Sequence, residues 1–457
     1  MKDKLVPPGI VFIDWVGLPA LIRVVGLGRS VRWIYHFEPM PAFTGRLVGL
    51  LQRCGVIRGE FRRVDHHVGQ IRNDKGETKY HELWSSVRSV CEEIKGNQIV
   101  RDPLIHLMEG RWNGGKVALH LERIVEHYLR DECFRVHLVI WIVNSRLNIP
   151  IQQAILMVRR TRWVRYVASH ASSFGLRLVS YPDWIGSMLR TSWGAAGMIG
   201  KLIGSVGRKV ARSIGDRVRA SGGREVERRG RVGRGRNPCK VAVRYWYRPL
   251  SMNPRVQSEL FWVEDCGIPP GHVLVYDYSG KRAIEEDERR ELSARRIELF
   301  GRGKDARGWS PTPRMLLTVL YIVRDLCRCV LICLKRREKF SSFVLCQMVA
   351  LGIDYAYWLD FYRTNGIRVN VSYIYNLKTS QVLSMDSLGG VTVSYQYAVS
   401  IIFLAASYLS CGEDIQFVFS NKFWKLWDEI GAPVKFLINS GPINHSAIKL
   451  LRGERHD

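Results

Sequence analysis

Negative charge is scarce in this chain. Its 457 residues hold 42 Asp plus Glu against 69 Lys plus Arg, a formal charge of +27. That balance points to anionic partners: phosphates, nucleic acid or an acidic lipid leaflet. Cysteine motifs are missing as well. The ten cysteines include no Cys-x-x-Cys pair, and Cys327, Cys329 and Cys333 lie in an apolar segment that suits small buried thiols in a reducing compartment. No metal site is expected from them. Long apolar runs are lacking too. Val136–Val143 and Ala398–Cys411 are short, and Met315–Leu334 is interrupted by Arg324, Asp325 and Arg328, so no simple bilayer-spanning helix is expected. Met1–Pro8 is not followed by an apolar stretch with a small-residue cleavage site, and no signal peptide is expected.

The familiar catalytic signatures are absent: no Walker loop, Gly-x-Ser-x-Gly elbow, His-Glu-x-x-His helix or kinase set occurs. Asp65-His66-His67 sets a carboxylate beside two imidazoles, but neighbours on a strand point to opposite faces, which disfavours a ligand cluster.

What is present is a packed composition, 46% hydrophobic and 11% aromatic, and a repeated alternation of apolar strands with helices. Gly9–Trp15 reads as a strand, Leu18–Val25 as a helix and Val31–Phe37 as a strand; the glycines of Gly26-Leu27-Gly28 suit a helix C-cap better than a phosphate cradle. A long helix starts near Val117 and runs into a strand or core helix by Ile142. Strand Ile155–Val158, helix Trp163–Phe174 and strand Leu176–Tyr181 complete the unit. A second series holds strands at Lys240–Trp246, Val273–Tyr276, Ile297–Phe300, Ile367–Ile374, Val391–Gln396, Gln416–Ser420 and Val434–Asn439. Its helices fall at Ile284–Arg295, Met315–Arg336, Phe340–Thr364 and Phe423–Ile430. Continuous apolar strands alternating with helices predict an α/β protein with Rossmann-like parallel sheets and helices on both faces, as two lobes or one elaborated lobe. The expected boundaries are an N-terminal lobe over 1–185, a Gly/Arg-rich linker or insertion over 186–239, a second lobe over 240–445 and a charged tail over 446–457. Within the linker, Leu202, Val206, Val210, Ile214 and Val218 recur every fourth residue among arginines and lysines. This fits a basic amphipathic helix on an anionic membrane or an unstructured tether. Ile149-Pro150 before one strand is echoed by Ile268-Pro269 before another.

The C-terminal third carries Leu351–Tyr355, Asn365–Val369, Leu388–Gln396 and Phe417–Ser420, then Gly441-Pro442. A Gly389-Gly390 turn leading into a strand permits close backbone approach to a ligand. Ser394, Gln396 and Ser420 offer neutral hydrogen-bonding groups at the carboxyl edge of a parallel sheet, the edge that ligands favour. These segments, with Ser258–Trp262, Gly267-Ile268-Pro269 and Val273–Tyr276, resemble the polysaccharide biosynthesis PFTS-motif family over about residues 240 to 445.

The resemblance implies a glycosyltransferase-B-like protein of bacterial surface polysaccharide synthesis, making O-antigen or capsule-like glycans at the inner face of the cytoplasmic membrane. It implies transfer from a nucleotide-sugar donor, held as substrate with no resident cofactor, to a lipid-linked glycan acceptor. The Pro-Phe-Thr-Ser signature is absent, and only Ile443–Asp457 follow Gly441-Pro442, where the family places its donor domain. That implies either a donor domain on a separate polypeptide or a divergent, non-catalytic protein. Transfer needs a carboxylate for the acceptor hydroxyl and positive charge for the departing diphosphate. Asp354, Asp360 and Asp386 are the nearest carboxylates, with Asp354 and Asp386 the catalytic candidates, and Arg363 or Arg368 could face a phosphate. Asp354 and Asp360 are expected on the solvated face of a helix and Arg368 at a strand edge. Trp246, Tyr247 and Arg248 could stack on a sugar. The alternative is a non-catalytic binder of nucleic acid or anionic membrane, driven by the arginine-rich 208–240 segment.

Overall fold

The computed structural model describes residues 9–28, 30–66, 70–72, 76, 79–160, 162–182, 240–245, 250, 260, 262–263, 266–277, 285–300, 312–373, 377–395, 412–418, 420–421, 425 and 434–440. The linker, the Phe423–Ile430 helix apart from Lys425, the group Trp246-Tyr247-Arg248, and residues His67 and Gln396 lie outside them. The chain is α/β, with two sheets whose strand pairs are all parallel, in two units. Described residues up to 97 and from 124 to 182 form the first unit; those from 98 to 123 and from 240 onward form the second.

In the first unit the buried run Ile10–Ile13 (β1) is central because both of its faces are apolar. Helix α1 (Leu18–Leu27) starts with Pro19 in its first turn and closes at Gly28, whose φ of 80° and N–H bond to the Val25 carbonyl fulfil the C-cap reading. Next come β2 (Trp33–His36), α2 (Ala42–Arg53), β3 (Glu60–Arg63), α3 (Tyr80–Ile94), β4 (Ala154–Arg159), α6 (Val164–Ser173) and β5 (Arg177–Tyr181). The sheet order is β3-β2-β1-β4-β5, so the chain starts at the centre, winds to one edge and crosses over between β1 and β4. Glu60, Arg62 and Arg63 make β3 a charged edge strand, which protects its open hydrogen-bonding side.

Helix α4 (Pro103–Leu107) belongs to the second unit. Helix α5 (Gly114–Ile142) starts in that unit and ends in the first; it is one helix of 29 residues, and its apolar end is helix, not strand. In the second sheet, β6 (Lys240–Tyr245), β7 (Val273–Asp277), β8 (Glu298–Phe300), β9 (Ile367–Tyr373), β10 (Val391–Tyr395), β11 (Ile415–Val418) and β12 (Phe436–Asn439) take the order β12-β11-β10-β9-β6-β7-β8. The crossover falls between β6 and β9. Among the described residues the unit also holds helices α7 (Glu286–Ala294), α8 (Pro313–Arg336), α9 (Ser342–Thr364) and α10 (Thr379–Ser387). Alternate residues of β6 feed two cores: Val241, Val243 and Tyr245 meet Leu292, while Ala242 joins Trp358, Phe361 and Tyr362 of α9.

By length and composition α9 could cross a membrane, yet Val344, Met348, Leu351, Tyr355, Trp358 and Tyr362 are buried in its unit, as in a core helix. The two Ile-Pro echoes share a cause. Each proline precedes a short 3-10 turn, Ile151–Gln153 or Pro270–His272, that delivers the chain into a buried strand.

Candidate functional site at the carboxyl edge of the first sheet

Where strand order reverses in a parallel sheet, loops part on opposite sides and open a crevice at the carboxyl ends. In the first sheet that point lies between β1 and β4, and charged side chains gather there. Asp14 follows β1, Glu38 follows β2, Arg159 ends β4, Tyr181 ends β5, and Arg135 reaches in from α5. Asp14 is 3% exposed. Its Oδ1 accepts from the Trp15 N–H at 2.6 Å, and its Oδ2 accepts from the Arg159 N–H at 3.0 Å and the Arg159 Nε–H at 3.1 Å. The Tyr181 hydroxyl donates to Asp14 and lies 2.7 Å from the Trp15 carbonyl oxygen.

Glu38 forms the outer half of the network. Its Oε1 accepts from Arg159 Nη2 at 2.7 Å and from Arg135 Nη2 at 3.2 Å. Trp15 lies under the Arg159 guanidinium and Phe37 under that of Arg135, 5.8 and 5.9 Å from their ring centres. Burial acts to lower the Arg159 pKa, but Asp14 and Glu38 outweigh it and hold the group above its ordinary value. Burial, reinforced by the Asp14 charge, pushes the Tyr181 phenol up, so it stays a proton donor at neutral pH. The result is a buried anion that anchors an arginine, with a second arginine and a half-buried carboxylate open beside it. Such a set can bind an anion through planar guanidiniums and offers Glu38 as a base.

None of these five residues was singled out from the sequence. The signal was there: Asp14, Glu38, Arg159 and Tyr181 each close or follow an apolar strand. Against one face of the same sheet an open groove of about 680 Å³ is lined by apolar Leu18, Ile22, Leu27, Met157, Val179 and Pro182, with Arg23 and Arg177 also on its wall.

The residues expected to carry function fall in the second unit and do not converge. Asp354 lies near the carboxyl edge, where it accepts from Ser380 Oγ at 2.9 Å and Lys378 Nζ at 3.4 Å at the start of α10. Asp386, at the other end of α10, takes both of its bonds from Lys116 Nζ, at 3.0 and 2.8 Å. Asp360 is not on a solvated face. It is 4% exposed and holds Thr312, the residue before α8, by accepting from the Thr312 N–H at 2.9 Å and from Thr312 Oγ1 at 2.5 Å.

Gly389 and Gly390 lead into β10 and so occupy the amino edge, opposite the ligand-favoured side. Gly389 has φ 60°, and a Cβ on Gly390 would stand 2.7 Å from the Arg368 carbonyl oxygen, so the pair makes a tight turn against β9. Arg368, the second residue of the internal strand β9, is exposed, and its guanidinium donates to the Leu388 carbonyl in that turn. Ser394 is fully buried and bonds Glu413 and Gln416. Ser420, two residues beyond β11, does stand past a carboxyl end. Cys329 and Cys333 are buried thiols as expected, but Cys327 is exposed.

The crossover of the second sheet holds a buried polar chain: Gln381 Nε2 donates to Tyr276 Oη at 3.0 Å, and Tyr276 donates to Asn370 Oδ1 at 3.0 Å. Nearby on α5, burial lowers the His120 pKa to about 4, helped by Arg123 and Lys378 and opposed by Asp354. The folded state therefore resists a proton that the unfolded chain accepts near 6.5. His120 thus makes stability fall as pH drops from about 6.5 toward 4. Urea unfolding across that range should show a steeper acid loss in the wild type than in His120→Gln.

No family model, no curated protein and no solved structure matches this chain.

Proposed function

We propose that this chain is a glycosyltransferase-like protein of surface polysaccharide synthesis. In this reading the carboxyl edge of the first sheet receives the charged end of a nucleotide sugar or of a lipid-linked acceptor. One observation carries it: Glu38, Arg135 and Arg159 meet at the crossover of a Rossmann-like sheet, so positive charge for a diphosphate stands within one side chain of a carboxylate. An incoming diphosphate would take over the guanidinium bonds that Glu38 now accepts and free Glu38 to act on a hydroxyl. The resemblance to the PFTS-motif family, carried by about residues 240 to 445, adds the substrate class, and parallel Rossmann-like sheets agree with a lobe of a glycosyltransferase-B-like protein.

Contact with an anionic leaflet is part of the same proposal. Helix α8 buries Ile322, Leu326, Cys329 and Cys333 on one side and exposes Leu316, Leu320, Val323, Leu331 and Leu334 on another. Arg324, Arg328 and Lys335 border the exposed stripe. A helix with an exposed apolar stripe and a cationic border suits the interface of acidic lipids.

The test is equilibrium binding of UDP and other nucleoside diphosphates to the full chain, with Arg135→Gln as the probe of the site. Micromolar binding that weakens about tenfold in Arg135→Gln is expected from the loss of one charged hydrogen-bond partner. Absence of nucleoside diphosphate binding, together with retention of DNA at moderate salt, would overturn the reading in favour of the nucleic-acid alternative.

A further inference from the structure

Two imidazoles of the first unit approach each other in a way that hydrogen bonding does not satisfy. His137 on α5 and His170 on α6 bring their Nε2 atoms to 3.4 Å, and Ser86 Oγ on α3 lies 2.8 Å from His137 Nε2. Ser86 Oγ also lies 2.9 Å from the Glu82 carbonyl oxygen. Whichever of Ser86 and His137 donates, their contact uses the one proton or lone pair at His137 Nε2 and leaves neither for His170. At 3.4 Å the two nitrogens are also too far apart for a good N–H···N bond.

The spacing suits a shared metal ion. With zinc–nitrogen bonds of about 2.0–2.1 Å and tetrahedral angles, two ligating nitrogens stand about 3.3–3.4 Å apart. We propose that His137 and His170 ligate a divalent ion of the zinc class, with the Ser86 hydroxyl beside it and water in the remaining positions. The three side chains project from three helices, which holds the geometry rigid. Phe174 packs against both rings, with centres 5.1 and 5.2 Å away, and fixes their orientation while shielding one side. Imidazole donors select zinc, cobalt, nickel or copper over magnesium or calcium. The 33-residue gap between the histidines hides the pair from any motif search.

Cobalt(II) titration of the chelator-stripped full chain, followed by visible absorption, tests the site. Reactive thiols, among them the exposed Cys54, Cys266, Cys327 and Cys346, are alkylated first so that they do not compete. One equivalent should bind, with tetrahedral ligand-field bands and without thiolate charge transfer, and zinc should displace it. His137→Gln and His170→Gln should each weaken binding by about 100-fold or more, and His106→Gln, at an exposed residue elsewhere, should not. Should His137→Gln fail to fold, the half-buried His170→Gln decides alone. Binding by His170→Gln within about threefold of the wild type, or no cobalt bands in the wild type, overturns the proposal.

Discussion

Replacing Asp14 by Asn should cost the first unit about 3–5 kcal/mol, the cost of removing one partner from a buried ion pair. The geometry explains the size. Oδ1 accepts from the Trp15 N–H and Oδ2 accepts from two N–H groups of Arg159, so whichever way the amide is turned, its NH2 meets a donor. Arg159, its side chain one quarter exposed, would lose its buried counter-charge and keep only Glu38. Glu38→Gln removes a carboxylate that is 35% exposed and should cost no more than about 1 kcal/mol. Urea unfolding of the two variants beside the wild type separates these outcomes. A loss under about 1 kcal/mol for Asp14→Asn would mean that the network is not what holds the carboxyl ends of β1, β4 and β5 together. The pairing also separates fold from function. If the proposed site is right, Glu38→Gln should spare stability and impair transfer, whereas Asp14→Asn should impair both.

How far this was legible in the sequence differs between fold and site. The strands were legible because parallel strands are buried on both faces and read as unbroken apolar runs: Ile10–Ile13, Ala154–Val158 and Val273–Tyr276 each stand out against their flanks. Of the edge strands, β5, β8 and β12 were legible and β3 was not. Glu60–Arg63 has one side chain that reads as apolar, and its pairing with β2 comes from backbone bonds that composition does not record. Helices α2 and α3 were missed as elements, and α10, which is buried through Thr379, Ser380, Gln381 and Ser384, carries too many polar residues in its core face to show amphipathic periodicity.

The site was hidden for a different reason. Its residues come from β1, β2, α5, β4 and β5, and only the winding of the chain brings position 14 next to 159 and 181. Sequence reasoning instead favoured a compact run, Gly389 to Gln396, because local glycine and serine patterns look like a ligand loop. Gly390 is required there by the Arg368 carbonyl against which it turns, and Ser394 by the bonds it makes inside the sheet.

Asp386 shows the same confusion between a reactive and a structural carboxylate, and stability measurement can tell them apart. Lys116 has a side chain only 7% exposed, with Gly412 against its stem and both Asp386 oxygens on its ammonium. Asp386→Asn would strand that ammonium without its counter-ion and should cost about 3–5 kcal/mol. The double variant Lys116→Met with Asp386→Leu removes both charges while leaving apolar bulk, and it should recover most of the loss, because desolvation of the pair disappears along with its attraction. A catalytic Asp386 would give the opposite pattern: Asp386→Asn would unfold at the wild-type urea concentration and lose turnover. Asp414, held below the usual carboxylate range with Lys435 on one oxygen and Thr392 on the other, lies close enough to feel Lys116 and would take part of the stranded charge. That neighbour sets the lower bound of the expected loss, and Lys435→Met in the Asp386→Asn background should raise stability relative to Asp386→Asn if Asp414 can then turn to Lys116.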